Sequence, residues 1–154
     1  RFCFEAFLPV NKKERQWILE ELKKETRTIV IYEAPHHLID TLKELTDVLG
    51  GGRKATLCRE LTKKYEEAYC STLGGVLKRY ESEEPKGECV IVIEGRSITD
   101  LKQEMQQSWE EVPIKEHMDI YLSQGIDKKE AMKKVGKDRG ITKREVYEIL
   151  IGEK

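Results

Sequence analysis

Apolar residues in the first 95 positions recur with two spacings that alternate along the chain. Phe2, Phe4 and Ala6 alternate with Cys3 and Glu5, which predicts a strand with one buried face. The next apolar residues follow the spacing of a helix, behind an approximate capping box, NKKE, that starts at Asn11. This helical stretch contains Trp17, Ile18, Leu19 and Leu22.

The segment TIVIYEAPHHLIDTL, residues 28–42, begins with a continuous apolar run that predicts a strand covered by helices on both faces. Pro35 ends the run, and helical spacing then extends to the glycines at 50–52. KATLCRELT and ECVIVIEG predict further strands, EEAYCSTL predicts a strand or an extended arm, and residues 72–80 predict a short helix. This alternation favours an α/β fold with mixed or parallel pairing of the strands, and we expect a mixed sheet with flanking helices.

The periodicity fades beyond residue 96. Residues 97–112 are polar enough to form a linker or a solvated helix. Three short helical patterns follow, and both DKKE at Asp127 and TKRE at Thr142 resemble capping boxes. We therefore expect an α/β domain over 1–96, a linker over 97–112, and a three-helix basic module over 113–154. Such a module suits a helix-turn-helix-like unit or a packing appendage.

The composition, 38% hydrophobic and 37% charged, is typical of a charge-rich globular protein. No apolar run approaches the roughly 20 residues of a membrane span, so we expect no membrane association. The four cysteines form no CxxC pair, which favours a reducing, cytoplasmic compartment. The formal charge is −1, yet residues 125–154 carry nine basic and six acidic groups. The chain starts inside a strand-like pattern without Met, which suggests that an N-terminal part is missing.

Three strand ends carry polar groups, and ligands of open α/β sheets bind at such ends. They are Tyr32–Pro35, Arg59–Lys63 and Gly87–Glu88. Each end also has an ordinary structural explanation. Arg59 and Glu60 could form surface ion pairs, and Glu33 could cap the following helix.

Other site classes find little support in the residue pattern. His36 and His37 are adjacent at a helix start and point apart, with no third ligand four residues on, so we predict no metal site. We expect His117 to be a partly exposed histidine of no special role. No glycine-rich phosphate loop and no nucleophile elbow occur in the sequence. The residue pattern alone therefore predicts an α/β domain with a polar rim and a basic helical tail, and it predicts nothing more specific.

Five blocks in order resemble the C-terminal half of the rRNA-modifying members of the tetrapyrrole methylase (class III methyltransferase) family. They are FEAFLPVNKKER, TIVIYEAPHHLIDTL, CRELTKKYEE, STLGGVLKRY and KGECVIVIEG. YEAPHHL and RELTKKYEE are the most specific. Ala34 stands where the family usually has Ser, and His37 where it usually has Arg, which removes a permanent cation.

The resemblance implies an S-adenosylmethionine-dependent enzyme that methylates a cytidine ribose 2′-hydroxyl in small-subunit rRNA. The cofactor would lie in a cleft between this domain and an N-terminal methyltransferase domain that the chain lacks, so the chain alone is expected to be inactive. The cofactor-binding residues would be Tyr32, Glu33, Ala34, Pro35, Thr56, Leu57, Cys58, Arg59, Glu60, Thr62, Gly87 and Glu88. No catalytic residue is assigned by the resemblance.

Contacts with rRNA are expected from cations of both regions: His37, Arg59, Lys63, Lys133, Lys137 and Arg144. The tail also carries Lys128, Lys129, Lys134, Arg139 and Lys143, and a solvated helix face would explain them equally well. We further expect a homodimer. Two alternatives stay open: a fragment of a tetrapyrrole (corrin or porphyrin) methyltransferase, and a standalone RNA-binding module without catalysis.

Overall fold

The structure, a computed structural model, describes residues 1–152 and divides into two compact units, Arg1–Ser97 and a second that begins at Ile98. The first unit contains one sheet of five strands in the order β1-β2-β5-β3-β4. β1 is parallel to β2, and the other pairings are antiparallel. The predicted mixed α/β class is therefore confirmed. The strands are β1 (Phe2–Phe7), β2 (Thr28–Glu33), β3 (Lys54–Arg59), β4 (Glu67–Thr72) and β5 (Cys89–Ile93).

Three helices cover one face of this sheet: α1 (Lys12–Leu22), α2 (Leu38–Leu49) and α3 (Leu73–Tyr80). The side chain of Asn11 caps α1 by accepting from the N–H groups of Lys13 and Glu14. α2 follows a single 3₁₀ turn, Pro35–His37, because Pro35 fits the first turn of a helix but cannot continue a strand ladder. Leucines at helical spacing on α2 pack against alternate residues of β2, β3 and β5 to form the core.

The opposite face of the sheet is open in the described part of the chain. Phe2 and Phe4 are 65% and 50% exposed, and Tyr32 is 42% exposed. The prediction that β2 is covered on both faces is therefore wrong. Val30 and Tyr32 lie on the open face, whereas Ile29 and Ile31 lie on the helix-covered face and are fully buried. On β1, likewise, Cys3 lies on the face that packs against the core, whereas Phe2 and Phe4 lie on the open face.

The second unit consists of α4 (Ile98–Ser108), α5 (Ile114–Ser123), α6 (Lys128–Arg139) and α7 (Lys143–Gly152). Its core contains Ile114, Met118, Ala131, Met132, Val135 and Val146. α4 lies in the segment predicted as a linker or solvated helix and packs against α6. No helix among residues 1–152 is both long and apolar enough to cross a bilayer.

A tight turn joins α6 to α7. Gly140 ends α6 with a left-handed backbone, φ 70°. A Cβ on Gly136 would lie 2.7 Å from the carbonyl oxygen of Ile141, so only glycine permits this approach. Thr142 and Glu145 form the predicted capping box, since the Thr142 hydroxyl accepts from the Glu145 N–H and the Glu145 carboxylate accepts from the Thr142 N–H.

Candidate functional site

The carboxyl ends of β2 and β3 and the amino end of β5 meet at one edge of the sheet. Cys89, the first residue of β5, pairs with Glu33 on one side and with Arg59 on the other. β1 is parallel to β2, so its last residue, Phe7, pairs with Tyr32 at the same edge. The sheet thus gathers the polar strand ends that the sequence singles out.

A cavity of about 450 Å³ opens at this edge. Its volume lies within the range of roughly 300–1,000 Å³ that is common for small-molecule sites. Five of the residues predicted to bind cofactor line it, namely Tyr32, Glu33, Ala34, Pro35 and Glu88. Four lining residues were not predicted, namely Phe7, Leu61, Cys89 and Val90. The walls are mainly apolar and aromatic, which suits a flat, uncharged ring.

Three residues predicted on β3 lie away from this cavity. Leu57 is 1% exposed and belongs to the core. Thr56 lines a separate cavity of about 310 Å³ that also includes Thr28 and Lys54. Cys58 is half-buried and pairs with Ala68 in the ladder. Burial raises the pKa of the Cys58 thiol.

Strained backbone surrounds the cavity. Among residues 1–152, the residues other than glycine with positive φ are Ala6 (51°), Glu60 (48°) and Thr62 (65°). Ala6 precedes Phe7 at an irregularity in the β1–β2 ladder, and Glu60 and Thr62 flank Leu61. Each such conformation costs on the order of 1–3 kcal/mol and tends to occur at functional sites. The strain therefore falls on the segments that carry the unpredicted lining residues Phe7 and Leu61.

Hydrogen bonds to Glu88 hold the turn that contains Leu61. The Glu60 N–H donates to the carbonyl of Glu88 (3.0 Å), and the Glu88 N–H donates to Oε1 of Glu60 (2.8 Å). This N–H keeps the pKa of the Glu60 carboxyl below its usual range. Gly87 has φ 79°, and a Cβ there would lie 2.2 Å from Oε1 of Glu60. Of the predicted residues, Glu60, Thr62 and Gly87 therefore shape the rim without lining the cavity.

The buried carboxylate of Glu33 faces the protein interior, although it lies at the cavity wall. The side chain is 7% exposed. Oε1 accepts from the N–H of Ala34 (2.8 Å), and Oε2 accepts from the hydroxyl of Thr41 (2.5 Å). Both oxygens thus have partners from the protein itself.

Arg59 is held in an ion-pair network on the helix-covered face. Its Nη2 lies 2.7 Å from Glu67, which also accepts from Arg79 at 2.7 Å. The hydrogen bond from Arg59 lowers the pKa of Glu67, and that bond raises the pKa of Arg59. Arg59 does not line the cavity, and its role toward cofactor or RNA stays a prediction.

Two other predicted RNA-binding residues lie near the cavity. Lys63 is exposed and contacts Glu88 (3.0 Å) and Glu60 (3.4 Å), and the hydrogen bond that it donates to Glu88 raises its pKa. His37 lines a second cavity of about 450 Å³, which shares Phe7, Glu33 and Ala34 with the first. In residues 1–152 no group of three or more His, Cys, Asp or Glu side chains is placed to hold a metal ion.

The cations of the second unit differ in their exposure to solvent and in their partners. Lys133 and Lys137 on α6 and Arg144 on α7 are exposed. Lys133 pairs with Glu130 (3.0 Å), and Arg144 pairs with Glu148 (2.8 Å). Arg139 instead points inward, where it donates to the carbonyl of Val112 and to Nδ1 of His117. It therefore does not belong to the exposed basic surface expected from the sequence.

The prediction that His117 is partly exposed is wrong. Its side chain is 0% exposed and stacks on Trp109 with ring centroids 3.6 Å apart. Because Nδ1 accepts from Arg139, the proton resides on Nε2, which lies 3.3 Å from Asp138. Burial lowers the pKa of His117, and nearby Arg139 lowers it further.

Known proteins with similar sequences are rRNA methyltransferases. The chain is 43% identical over 147 residues to the ribosomal RNA small subunit methyltransferase I of Bacillus subtilis (strain 168), covering 96% of this chain and 50% of that protein. Proteins of the same name from Halalkalibacterium halodurans and Synechocystis sp. (strain PCC 6803) are 39% and 33% identical, with 96% and 97% of this chain and 50% and 52% of theirs covered. The chain thus spans about half the length of these relatives.

Solved structures with a similar backbone include two methyltransferases. One is the cobalamin-biosynthetic cobalt precorrin-4 methyltransferase CbiF, with 14% identity, a TM-score of 0.48, and 61% of this chain and 40% of that one covered. The other is the methyltransferase CobJ, with 16% identity, a TM-score of 0.46, and 63% and 43% covered. A likeness at this level does not assign the fold or the chemistry. No protein-family model matches the chain.

Proposed function

We propose, since this chain belongs to the ribosomal RNA small subunit methyltransferase I family, that it forms part of an S-adenosylmethionine-dependent enzyme. The reaction would transfer a methyl group to a cytidine ribose 2′-hydroxyl in small-subunit rRNA. The chain spans half of its relatives' length, so the remaining half would complete the cofactor cleft and the catalytic machinery.

The cavity at the strand ends is the single observation that carries this proposal. Phe7, Tyr32 and Leu61 provide apolar and aromatic walls, and Ala34 and Pro35 allow a ligand to approach the backbone closely. These surfaces fit the adenine side of S-adenosylmethionine better than its charged methionine end. When bound, the cofactor supplies an electrophilic methyl group on a sulfonium. The residues of this chain would bind and orient it and exclude water, which favours an in-line attack.

The exposed cations of α6 and α7 would contact rRNA phosphates. Lys133, Lys137 and Arg144 lie on the two helices joined by the tight turn at Gly140. Their neutralisation of phosphates would add affinity that is independent of base sequence. Lys63 and His37, near the cavity, would guide the nucleotide that is methylated.

The compartment and the assembly are part of the same proposal. The four cysteines are free, which is consistent with the reducing cytoplasm where rRNA is modified. We also propose that the protein forms a homodimer, and this expectation rests only on the resemblance of its sequence to the family.

A charged substitution in the cavity tests the proposal. In the full-length protein, Leu61→Arg places a cation in the proposed adenine site, and because Leu61 is 42% exposed the fold should tolerate it. We expect the dissociation constant of S-adenosylhomocysteine, measured by calorimetry, to rise at least tenfold. Tyr65→Arg is the matched control, since Tyr65 is 69% exposed in the same loop and does not line the cavity. Equal affinity of both variants and the parent would contradict the proposed site.

The methyl acceptor needs a separate test. We expect the full-length protein to transfer labelled methyl groups from S-adenosylmethionine to small-subunit rRNA, at a cytidine ribose. Transfer to a corrin or porphyrin with none to rRNA would contradict the RNA substrate.

A further inference from the structure

Glu33 and Thr41 are two of three buried polar or charged residues among residues 1–152, and they contact each other behind the cavity wall. A buried carboxylate is costly unless its oxygens accept hydrogen bonds. One oxygen of Glu33 accepts from the N–H of Ala34, a residue that lines the cavity, and the other accepts from Thr41 on α2. Glu33 thus connects the cavity wall to the helix behind it.

The direction of the hydrogen bonds at Thr41 is fixed by Arg15 on α1. Nη2 of Arg15 lies 2.7 Å from the Thr41 hydroxyl oxygen. A guanidinium can only donate hydrogen bonds, so the Thr41 hydroxyl oxygen accepts from Arg15. The O–H of Thr41 must then donate its hydrogen bond to Glu33. The Thr41 hydroxyl therefore links the cation to the buried carboxylate.

Arg15 has two further partners that tie it to separate segments. Its Nε donates to Glu44 on α2 at 2.6 Å, and its Nη1 donates to the carbonyl of Pro9 at 3.4 Å. Pro9 follows β1, two residues after Phe7, which forms another wall of the cavity. The contacts of Arg15 thus reach the segments after β1 and after β2, which both contribute cavity walls.

We propose that Arg15 and Thr41 are positioning residues for the first cavity, the proposed donor site, and set the conformation of its Phe7 and Ala34 walls through Glu33 and Pro9. Neither lines that cavity, although both line the second cavity beside it. This inference rests on the proposed function, because the ligand it concerns is the methyl donor. Glu33 accordingly does not bind the donor through its carboxylate. The carboxylate fixes the N–H of Ala34 and so the start of the turn at Pro35.

The test replaces Thr41 in the full-length protein. Thr41→Val keeps the shape of the side chain and removes the hydroxyl, which leaves one Glu33 oxygen without its donor. We expect the dissociation constant of S-adenosylhomocysteine to rise about tenfold, because a buried acceptor left unsatisfied costs enough to distort the wall. Thr41→Ser restores the hydroxyl and should bind within about threefold of the parent.

Thr46→Val is the matched control on the same helix. The Thr46 hydroxyl is buried and has no hydrogen-bond partner within residues 1–152, so its removal should leave the dissociation constant unchanged. In turnover assays the Thr41→Val variant should raise KM for the donor and leave kcat nearly unchanged, because the wall positions the donor and does not carry out the reaction.

The outcomes separate this inference from the proposed function. A parent protein that fails to bind S-adenosylhomocysteine would overturn both. A parent that binds, with Thr41→Val binding equally well, would overturn the positioning role alone. A Thr41→Ser variant as weak as Thr41→Val would also overturn it, since the hydroxyl would then not be what matters. If Thr41→Val does not fold, the dissociation constant of S-adenosylhomocysteine is measured for Arg15→Met instead. An unchanged value for that variant would refute the inference.

Discussion

At the scale of single residues, the proposed site depends on side chains that hold backbone in unfavourable conformations. Glu60 adopts a left-handed φ of 48°, and its carboxylate accepts from Glu88 across the turn. Lys63 contacts both carboxylates, so the turn around Leu61 carries its own network of charge-assisted bonds. Gly87 leaves the space that the Glu60 side chain occupies.

Gly87→Ala should therefore destabilise the first unit. A side chain at φ 79° costs about 1–2 kcal/mol, and the new Cβ would displace the Glu60 carboxylate from the Glu88 N–H. Urea unfolding of the chain should show this loss in free energy. Gly52→Ala is the matched control, because nothing lies within 4 Å of a Cβ at that position. An equal free energy for both variants would show that Gly87 is not constrained by its surroundings.

The residue pattern predicts part of this site for a physical reason. Tyr32–Pro35 stand where an apolar run stops at a proline, and that signal is local. Leu61 and Phe7 give no such signal, because the left-handed backbone next to them involves Ala6, Glu60 and Thr62, which usually avoid it.

At the scale of helices and strands, the element types were predictable and their surroundings were not. Periodicity indicates that 28–33 is a strand, yet it does not show whether helices cover one face or two. The order of the strands also depends on contacts distant in sequence, since β5 lies between β2 and β3. His117 illustrates the same limit, because its burial depends on Trp109 and on Arg139 of α6 as well as on Tyr121 of its own helix.

The second unit should lose stability in mild acid through His117. Burial holds the folded pKa of His117 below the unfolded value of about 6.5, so the unfolded state binds more protons below that pH. The stabilisation is present above about pH 6.5 and is lost as pH falls toward the folded pKa, by at most about 1.4 kcal/mol per pH unit. Trp109 fluorescence in a Trp17→Phe background would report unfolding of this unit, since the chain contains two Trp residues.

His117→Phe should remove this dependence on pH, whereas His36→Gln should keep it, because His36 lies in the first unit. A His117→Phe variant with the same acid sensitivity as the parent would assign the effect to other groups.

At the scale of the whole molecule, charge is distributed unevenly between two units that each have a core. The net charge of −1 conceals the basic surface of α6 and α7. The composition of the tail predicts that surface, but it does not distinguish Arg139, which points inward, from Lys137, which is exposed.

Neutralising three exposed cations should weaken RNA binding in a salt-dependent way. In the full-length protein, the variant K133Q/K137Q/R144Q should bind a small-subunit rRNA fragment with a smaller dependence of log K on log salt. The slope is negative, and its magnitude should decrease by about 0.7 to 0.9 for each phosphate that the variant no longer neutralises. K13Q/K23Q/K24Q removes three exposed cations from around α1 and serves as the control. Equal slopes for both variants and the parent would leave the basic surface without an RNA role.

The central position of β5 has a consequence for synthesis on the ribosome. β5 is the last strand of the first unit to be made, yet it pairs with both β2 and β3. A nascent chain that ends before residue 89 can form only two separate two-stranded ladders, which are marginally stable in water. During that interval β2 and β3 each have an unpaired edge, the kind of surface that promotes aggregation. The sheet can therefore close only after residues 89–93 leave the exit tunnel, so the rate of chain elongation between the emergence of β4 and that of β5 sets how long these edges stay exposed.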